Sequence, residues 1–403
     1  MSASQSSKLN FPRAARHAVV FTFLLLAIEF LDEFVFGAGE AAWPLIRADL
    51  ALTYAQIGLL LGVPRLVGNV LEPFIGILGD VWKRRALVLG GGLIFSAALL
   101  LTGVAFNFPV LLLSFALFHP GSGAFVSLSQ ASLMDSDPQR EEQLMARWTL
   151  AGSLGVVAGP LALGAAMGLG LGWRGLFLVF GALGLGLVFL VWRQTFPKQH
   201  APEAHSLRAG LLNAVRALRR GAVVRWLILL EFSDFMLDML LSFLALYMVD
   251  VARVSPALAG TAVAVWSGVG LLGDALMIPV LEKVRGLTYL RYSAVLILIL
   301  YPAFLLAPSY ALKLGVLACL GFFNAGWYAI LKAKLFDSMH GQSAAALTLD
   351  NVSGLIGKLL PLGIGLAAQV YGIQTAMWLL LAGPVALLIG LPRKESPLPK
   401  GKG

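Results

Sequence analysis

Glu29, Asp32 and Glu33 stand at i, i+3 and i+4 inside an apolar run, so a helix there sets three carboxyls on one face. Glu231, Asp234 and Asp238 form a similar face in the second half of the chain. Carboxyls crowded together disfavour simultaneous ionisation, and one poised in that way can take up and release a proton. The competing reading is neutralisation of buried cations. Arg65, Arg147, Lys332 and Lys358 lie in other apolar runs, and Asp350 stands two turns before Lys358. Roughly nine such acids against about four such cations leave several carboxyls without a basic partner, and unpaired charge is expensive in lipid. Those that remain should look inward or toward water.

The acids also repeat. Glu29, Asp32, Glu72 and Asp80 each find an acid 202 residues on, at Glu231, Asp234, Asp274 and Glu282. The same step joins Phe30 to Phe232, Gly68 to Gly270, Lys83 to Arg285 and Gly155 to Gly357. Acids are only 21 of 403 residues, so four matches in one register point to a duplicated unit about half the chain long. In a membrane protein, two parallel halves of this kind enclose a pathway.

The elements that must position these residues are helices in lipid. The chain is 59% hydrophobic and 13% charged, with mean hydropathy +0.84, which excludes an ordinary soluble domain. Apolar runs near the ~20 residues that a bilayer requires predict twelve spans. They cover 17–39, 54–79, 86–106, 109–132, 144–169, 173–194, 224–249, 256–281, 288–307, 310–333, 343–370 and 374–391. The expectation is an all-α integral membrane protein with two pseudo-symmetric six-helix bundles. Residues 1–194 make the first bundle, 195–223 a linker, and 224–403 the second bundle with a short tail. Residues 207–220 have apolar positions at helical spacing and several arginines, which fits either an amphipathic surface helix or a plain connector.

Basic residues gather on one side: Arg13 and Arg16, Lys83 to Arg85, the linker, Lys283 and Arg285, Lys332 and Lys334, and Arg393 and Lys394. That side is then cytoplasmic, with both termini on it, in a multi-pass protein of the cell membrane. The net charge of +9 therefore reflects topology and lipid headgroups rather than nucleic acid. The first span is too long and too acidic for a cleavable signal peptide. The single Cys319 excludes an internal disulfide and a cysteine metal cluster, and is expected to be buried.

After span two comes Gly76-Ile77-Leu78-Gly79-Asp80-Val81-Trp82-Lys83-Arg84-Arg85. This resembles the loop motif between helices two and three of the major facilitator superfamily, with Asp80, Arg84 and Arg85 on its charged positions. Val81 and Lys83 depart from it. The resemblance implies a twelve-helix transporter fold and a cytoplasmic latch; a basic topological stop is the other reading. Span five carries Gly152-Ser153-Leu154-Gly155 and Gly159-Pro160, which is similar to a glycine-rich motif of antiporters in that superfamily. Glycines on one face also serve close helix packing, and Pro160 lets the helix bend. Phe118-His119-Pro120-Gly121 and Tyr54-Ala55-Gln56-Ile57-Gly58-Leu59 look like the fosmidomycin-resistance branch of efflux proteins.

In the superfamily, helices one, four, seven and ten line the pathway, so the two acidic faces should meet across a central cavity. His119 in span four and Asn324 in span ten are matched at an offset of 205. His119 fits a proton relay or a hydrogen-bonded structural role. Trp327 and Tyr328 fit an aromatic or cationic solute, or simple packing. Glu72 and Asp274, toward the inner ends of spans two and eight, fit gating or structural roles. No phosphate loop, His-x-x-x-His pair or nucleophile elbow is present, so an ion gradient is the expected energy source.

The expected function is export of a small amphipathic or cationic solute by proton-coupled alternating access, with nutrient uptake by a proton or sodium symporter as the alternative. A membrane enzyme lacks its catalytic set, and a transporter-like sensor lacks a signalling domain. The implied partners are a small solute, protons or sodium, and lipid, with no nucleic acid and no cofactor. The chain is expected to act as a monomer.

Overall fold

The first apolar run, expected to end at 39, continues as helix through Gly37 and Gly39. The structure is a computed structural model describing residues 13–81, 83–137, 140–196, 218–338, 354–355 and 357–392. In it α1 runs Arg13–Asp49, well past the expected end at 39. A Cβ on Gly37 would overlap the carbonyl of Val156, so this glycine serves helix contact rather than a turn. Ala41, Ala42, Trp43 and Ile46 then bury the extension, with Pro44 inside it.

Five more helices follow before the linker: α2 (Tyr54–Val81), α3 (Arg84–Val104), α4 (Phe108–Ser136), α5 (Glu141–Gly168) and α6 (Gly172–Trp192). The expected surface helix and most of the linker lie outside the described residues, as does Asp350. α7 is built of Gly221–Ser233, a π-turn at Phe235–Met239, and Leu240–Asp250. After it come α8 (Pro256–Lys283), α9 (Gly286–Leu306), α10 (Tyr310–Asp337), α11 (Leu360–Tyr371) and α12 (Ile373–Gly390).

Among the described residues, nine helices are long and apolar enough to cross a bilayer. The other three differ for stated reasons. α1 carries too many charges, α7 is divided by its π-turn, and only part of the span containing α11 is described. Cys319 corrects its expectation: it is exposed on the side of α10 rather than packed in the core.

The halves are joined at one end and parted at the other. At the joined end, Arg47 of α1 pairs with Asp250 of α7 at 2.5 Å, and the Tyr54 hydroxyl donates to the same carboxylate. Gly58 of α2 meets the backbone at Pro361, Leu362 and Gly365 of α11 so closely that a Cβ there would lie 2.7 Å from the Pro361 oxygen. At the opposite end, residues 70–74 of α2 and 278–285 around the end of α8 are exposed without a break. Glu72 in the first stretch bonds to Ser127 of its own half, and among the described residues the halves stand apart there. This open end carries Lys83 to Arg85 and Lys283 to Arg285.

Candidate functional site

Two adjoining cavities lie between the halves, and Asp238 is in the wall of both. The polar lobe, about 360 Å³, is lined by Asp32, Arg65, Asn69, Glu72, His119, Ser122, Ser127 and Lys358. The apolar lobe, about 470 Å³, lies among α5, α7, α8 and α10, with Trp266, Asp274 and Asn324 in its wall.

Interrupted helices shape both lobes. Pro120 has no N–H for the helical ladder, and α4 loosens just after it into a π-turn over Gly123–Ser127. Ser122, beside that turn, donates to Asp32 at 2.8 Å, and Ser127 donates to Glu72 at 2.8 Å. In the other half, α10 breaks at Ala325 and Gly326. Gly326 adopts φ +75°, a left-handed conformation that favours glycine. Its N–H donates to Asp274 at 2.8 Å, and the Tyr289 hydroxyl donates to the carbonyls of Phe323 and Ala325. The backbone groups released by the break are thus answered inside the protein, as lipid demands. Asn324 donates to the carbonyl of Met236, within the π-turn of α7.

The six acids expected to meet across the cavity divide. Asp32 and Asp238 line it. Glu29 and Glu33 instead lean on α5, where a Cβ on Gly152 would lie 2.6 Å from the Glu29 carboxyl and 3.3 Å from Cγ of Glu33. Glu231 makes the same kind of contact with Gly357. Asp234 ends the first segment of α7 and is in the wall of neither lobe. The π-turn begins just after Asp234 and carries Asp238, which lines both lobes.

Neutralisation of a buried cation does occur, through an acid absent from the expected set. Glu40 pairs with Arg65 at 2.7 Å, with side chains 3% and 14% exposed, and also accepts from Ser242 of α7 and Trp43. Glu40 fell just beyond the expected end of the first span. The signal that it belonged inside was the apolar run resuming at Ala41. Lys358 and His119 make no side-chain hydrogen bond among the described residues, and both face the polar lobe. His119 also borders a small cavity of about 70 Å³ beside Glu40 and Phe177.

Trp327 is in the wall of the apolar lobe, yet it is fully buried, and its indole donates to Ser293 at 2.8 Å between α9 and α10. Tyr328 is exposed at the edge of the apolar lobe and bonded to Lys332. The glycine stripe of α5 packs against α1: a Cβ on Gly159 would overlap the backbone at Ala38 and Gly37, while the carbonyl of Pro160 approaches Gly260 of α8. In the loop motif, Arg84 pairs with Asp135 at 2.5 Å and Arg85 donates to the carbonyl of Trp192, both within the first bundle. Asp80 lies near the end of α2; its side chain is outside the described residues.

A family model described as Major Facilitator Superfamily matches residues 22–360. A probable sugar efflux transporter of Helicobacter pylori (strain G27) is 26% identical over 50% of this chain and 51% of its own. A probable L-galactonate transporter of Escherichia coli (strain K12) is 28% identical over 49% of this chain and 43% of its own. MFS transporter L2 of Phoma sp. (strain ATCC 20986 / MF5453) is 28% identical over 31% and 21%. The chain thus spans between about a fifth and about half of the length of these curated relatives. Among solved structures, a bacterial homolog of the human lysosomal transporter Spinster, inward-facing and unoccupied, aligns with TM-score 0.74 and 19% identity over 94% of this chain and 96% of its own. The nucleoside transporter NupG aligns with TM-score 0.74 and 14% identity over 92% and 98%. These likenesses concern the fold.

Proposed function

The chain belongs to the major facilitator superfamily, as a membrane transporter and not an enzyme, and we propose that it exports a small amphipathic or cationic solute by proton-coupled antiport. One observation carries this reading. Asp238 faces a polar and an apolar lobe together and makes no hydrogen bond or ion pair among the described residues. A carboxyl at this depth needs a partner, and a proton or a cationic group supplies it. Asp32, across the polar lobe, is the second coupling acid, with His119 beside it. In this reading the basic loops are cytoplasmic, and the open end faces the cytoplasm. The halves rock about the lobes, and the Arg47–Asp250 contact opens as the other end closes. Asp80 and Arg84 then act as the cytoplasmic latch. Arg84→Ala should slow transport at normal expression, and an unchanged rate would reduce the motif to a topology signal.

Lys358 favours a second reading. A cation without a side-chain partner among the described residues also suits an anionic or polyhydroxylated nutrient, taken up with protons or sodium. The names of the sugar efflux and L-galactonate relatives add such solutes to the trial. The test is transport in proteoliposomes under an imposed pH gradient, against cationic, neutral and anionic solutes. Export of a cation that stops when the gradient is collapsed supports the first reading. Movement of sugar acids alone, in the direction of proton flow, would sink it.

A further inference from the structure

The two lobes differ in the sign of the groups they offer. Among the described residues, the wall of the apolar lobe contains no Arg, Lys or His. Its ionisable side chains include the carboxyls of Asp238 and Asp274. Lys332 reaches the hydroxyl of Tyr328 from one turn further on, and is not a lining residue.

Two polar atoms in this wall are also unanswered. Asn324 is 2% exposed, and its amide nitrogen is committed to the Met236 carbonyl, which fixes the orientation of the side chain. Among the described residues its Oδ1 has no hydrogen-bond partner. Neither has the Oγ of Ser267 on α8. Buried polar atoms without partners are few in folded proteins, and each calls for a reason. Oδ1 can only accept, so its missing partner is a donor. The remaining wall is mostly aliphatic, with Trp266 and Gly270 on α8 beside Ser267.

We infer that the apolar lobe is the subsite for a protonated amine on a hydrophobic body, with Asp238 as counter-ion and Asn324 Oδ1 accepting an N–H of the ammonium. This rests on the reading of these cavities as the solute chamber and narrows its solute class. A quaternary ammonium satisfies Asp238 but not Asn324. A neutral alcohol meets Asn324 but not the charge of Asp238. A carboxylate is repelled by both.

Binding to detergent-solubilised full-length protein, measured by isothermal titration calorimetry, separates these cases with one carbon skeleton. The probes are 4-phenylbutylammonium, its N,N,N-trimethyl analogue, 4-phenylbutanol and 4-phenylbutyrate. The ammonium should bind at least about tenfold tighter than the alcohol and severalfold tighter than the trimethyl analogue. Asp238→Asn should remove the preference for the ammonium over the alcohol. Equal binding of ammonium and carboxylate by the wild-type protein overturns the inference, and that comparison requires no variant to fold. So does an ammonium affinity unchanged in Asp238→Asn. Because no gradient or vesicle is involved, failure of proton coupling leaves this result standing, and failure here leaves coupled transport of another solute open to the vesicle assay.

Discussion

α4 and α10 are interrupted at positions one repeat apart, Gly123 and Ala325, and each interruption is held by an acid from α2 or α8, Glu72 or Asp274, also one repeat apart. The way each is held differs. In α4 the helix stays continuous through a π-turn, and both acids there accept from serine hydroxyls, which can rotate to other partners. In α10 the backbone turns a corner at a left-handed glycine, and Asp274 and Tyr289 hold main-chain groups. One half has an adaptable polar lobe. The other has a fixed corner and acceptors left open.

The largest effect that could break this contrast concerns α7. Asp238→Asn should cut uphill transport by about tenfold or more, while Asp234→Asn, which stands in neither lobe, should cost under about threefold. Asparagine keeps size and hydrogen bonding but cannot exchange a proton. Substrate-induced proton release, followed with a pH dye, reads the same step in detergent. Equal losses in the two variants would remove the distinction made by the π-turn.

Thermal unfolding sharpens the comparison of the two holding acids. Asp274→Ala leaves the buried Gly326 N–H without its acceptor, and should destabilise by about 1–3 kcal/mol. Glu72→Ala releases a hydroxyl that can turn to water, and should cost less than about 1 kcal/mol. The reverse order would mean that the π-turn, not the break, is the stressed element.

The interruptions themselves should respond unequally to an added methyl. Gly326→Ala forces a side chain into the left-handed region and toward Met277, with an expected loss of about 1–2 kcal/mol. Gly123→Ala meets only Cγ of Glu72, at 3.9 Å, and should be neutral within about 0.5 kcal/mol. Melting temperatures of the two variants decide the point.

The smallest effect belongs to the joined end. Arg47 and Asp250 are about a third and a quarter exposed, so their pair contributes roughly 0.2–1 kcal/mol. Asp250→Asn should shift the balance of states severalfold at most, read as labelling of a cysteine placed at the joined end. No change in labelling would place the closure in the glycine contacts of α2 and α11 instead.

The all-α membrane fold was legible because lipid punishes charge and rewards uninterrupted apolar runs, whereas of the two acidic faces only Asp32 and Asp238 line the cavity. What the sequence hid depends on local backbone. Nothing in Phe235 to Met239 announces a π-turn, yet that turn decides which acid of α7 reaches the cavity. The match of His119 to Asn324 slipped for a similar reason: the interruptions put Ser122, not His119, in the place of Asn324. Glu40 was missed because glycines that serve helix contact look like glycines that serve turns. Trp327 and Tyr328 both border the apolar lobe, but one is buried and the other exposed, and only packing separates them.

Glu40 and Ser242 touch each other and lie 202 positions apart, the repeat itself. A residue that contacts its own counterpart sits on the axis relating two halves. Were the halves identical subunits, this point would set glutamate against glutamate or serine against serine. The first crowds two carboxyls; the second has no carboxyl, and it has Ser267 where the first half has Arg65, so it holds no ion pair at all. Only after both copies share one chain can the position carry an acid on one side and a hydroxyl on the other. A carboxylate answered by a hydroxyl at this point is therefore an arrangement that a symmetric dimer of either half could not hold.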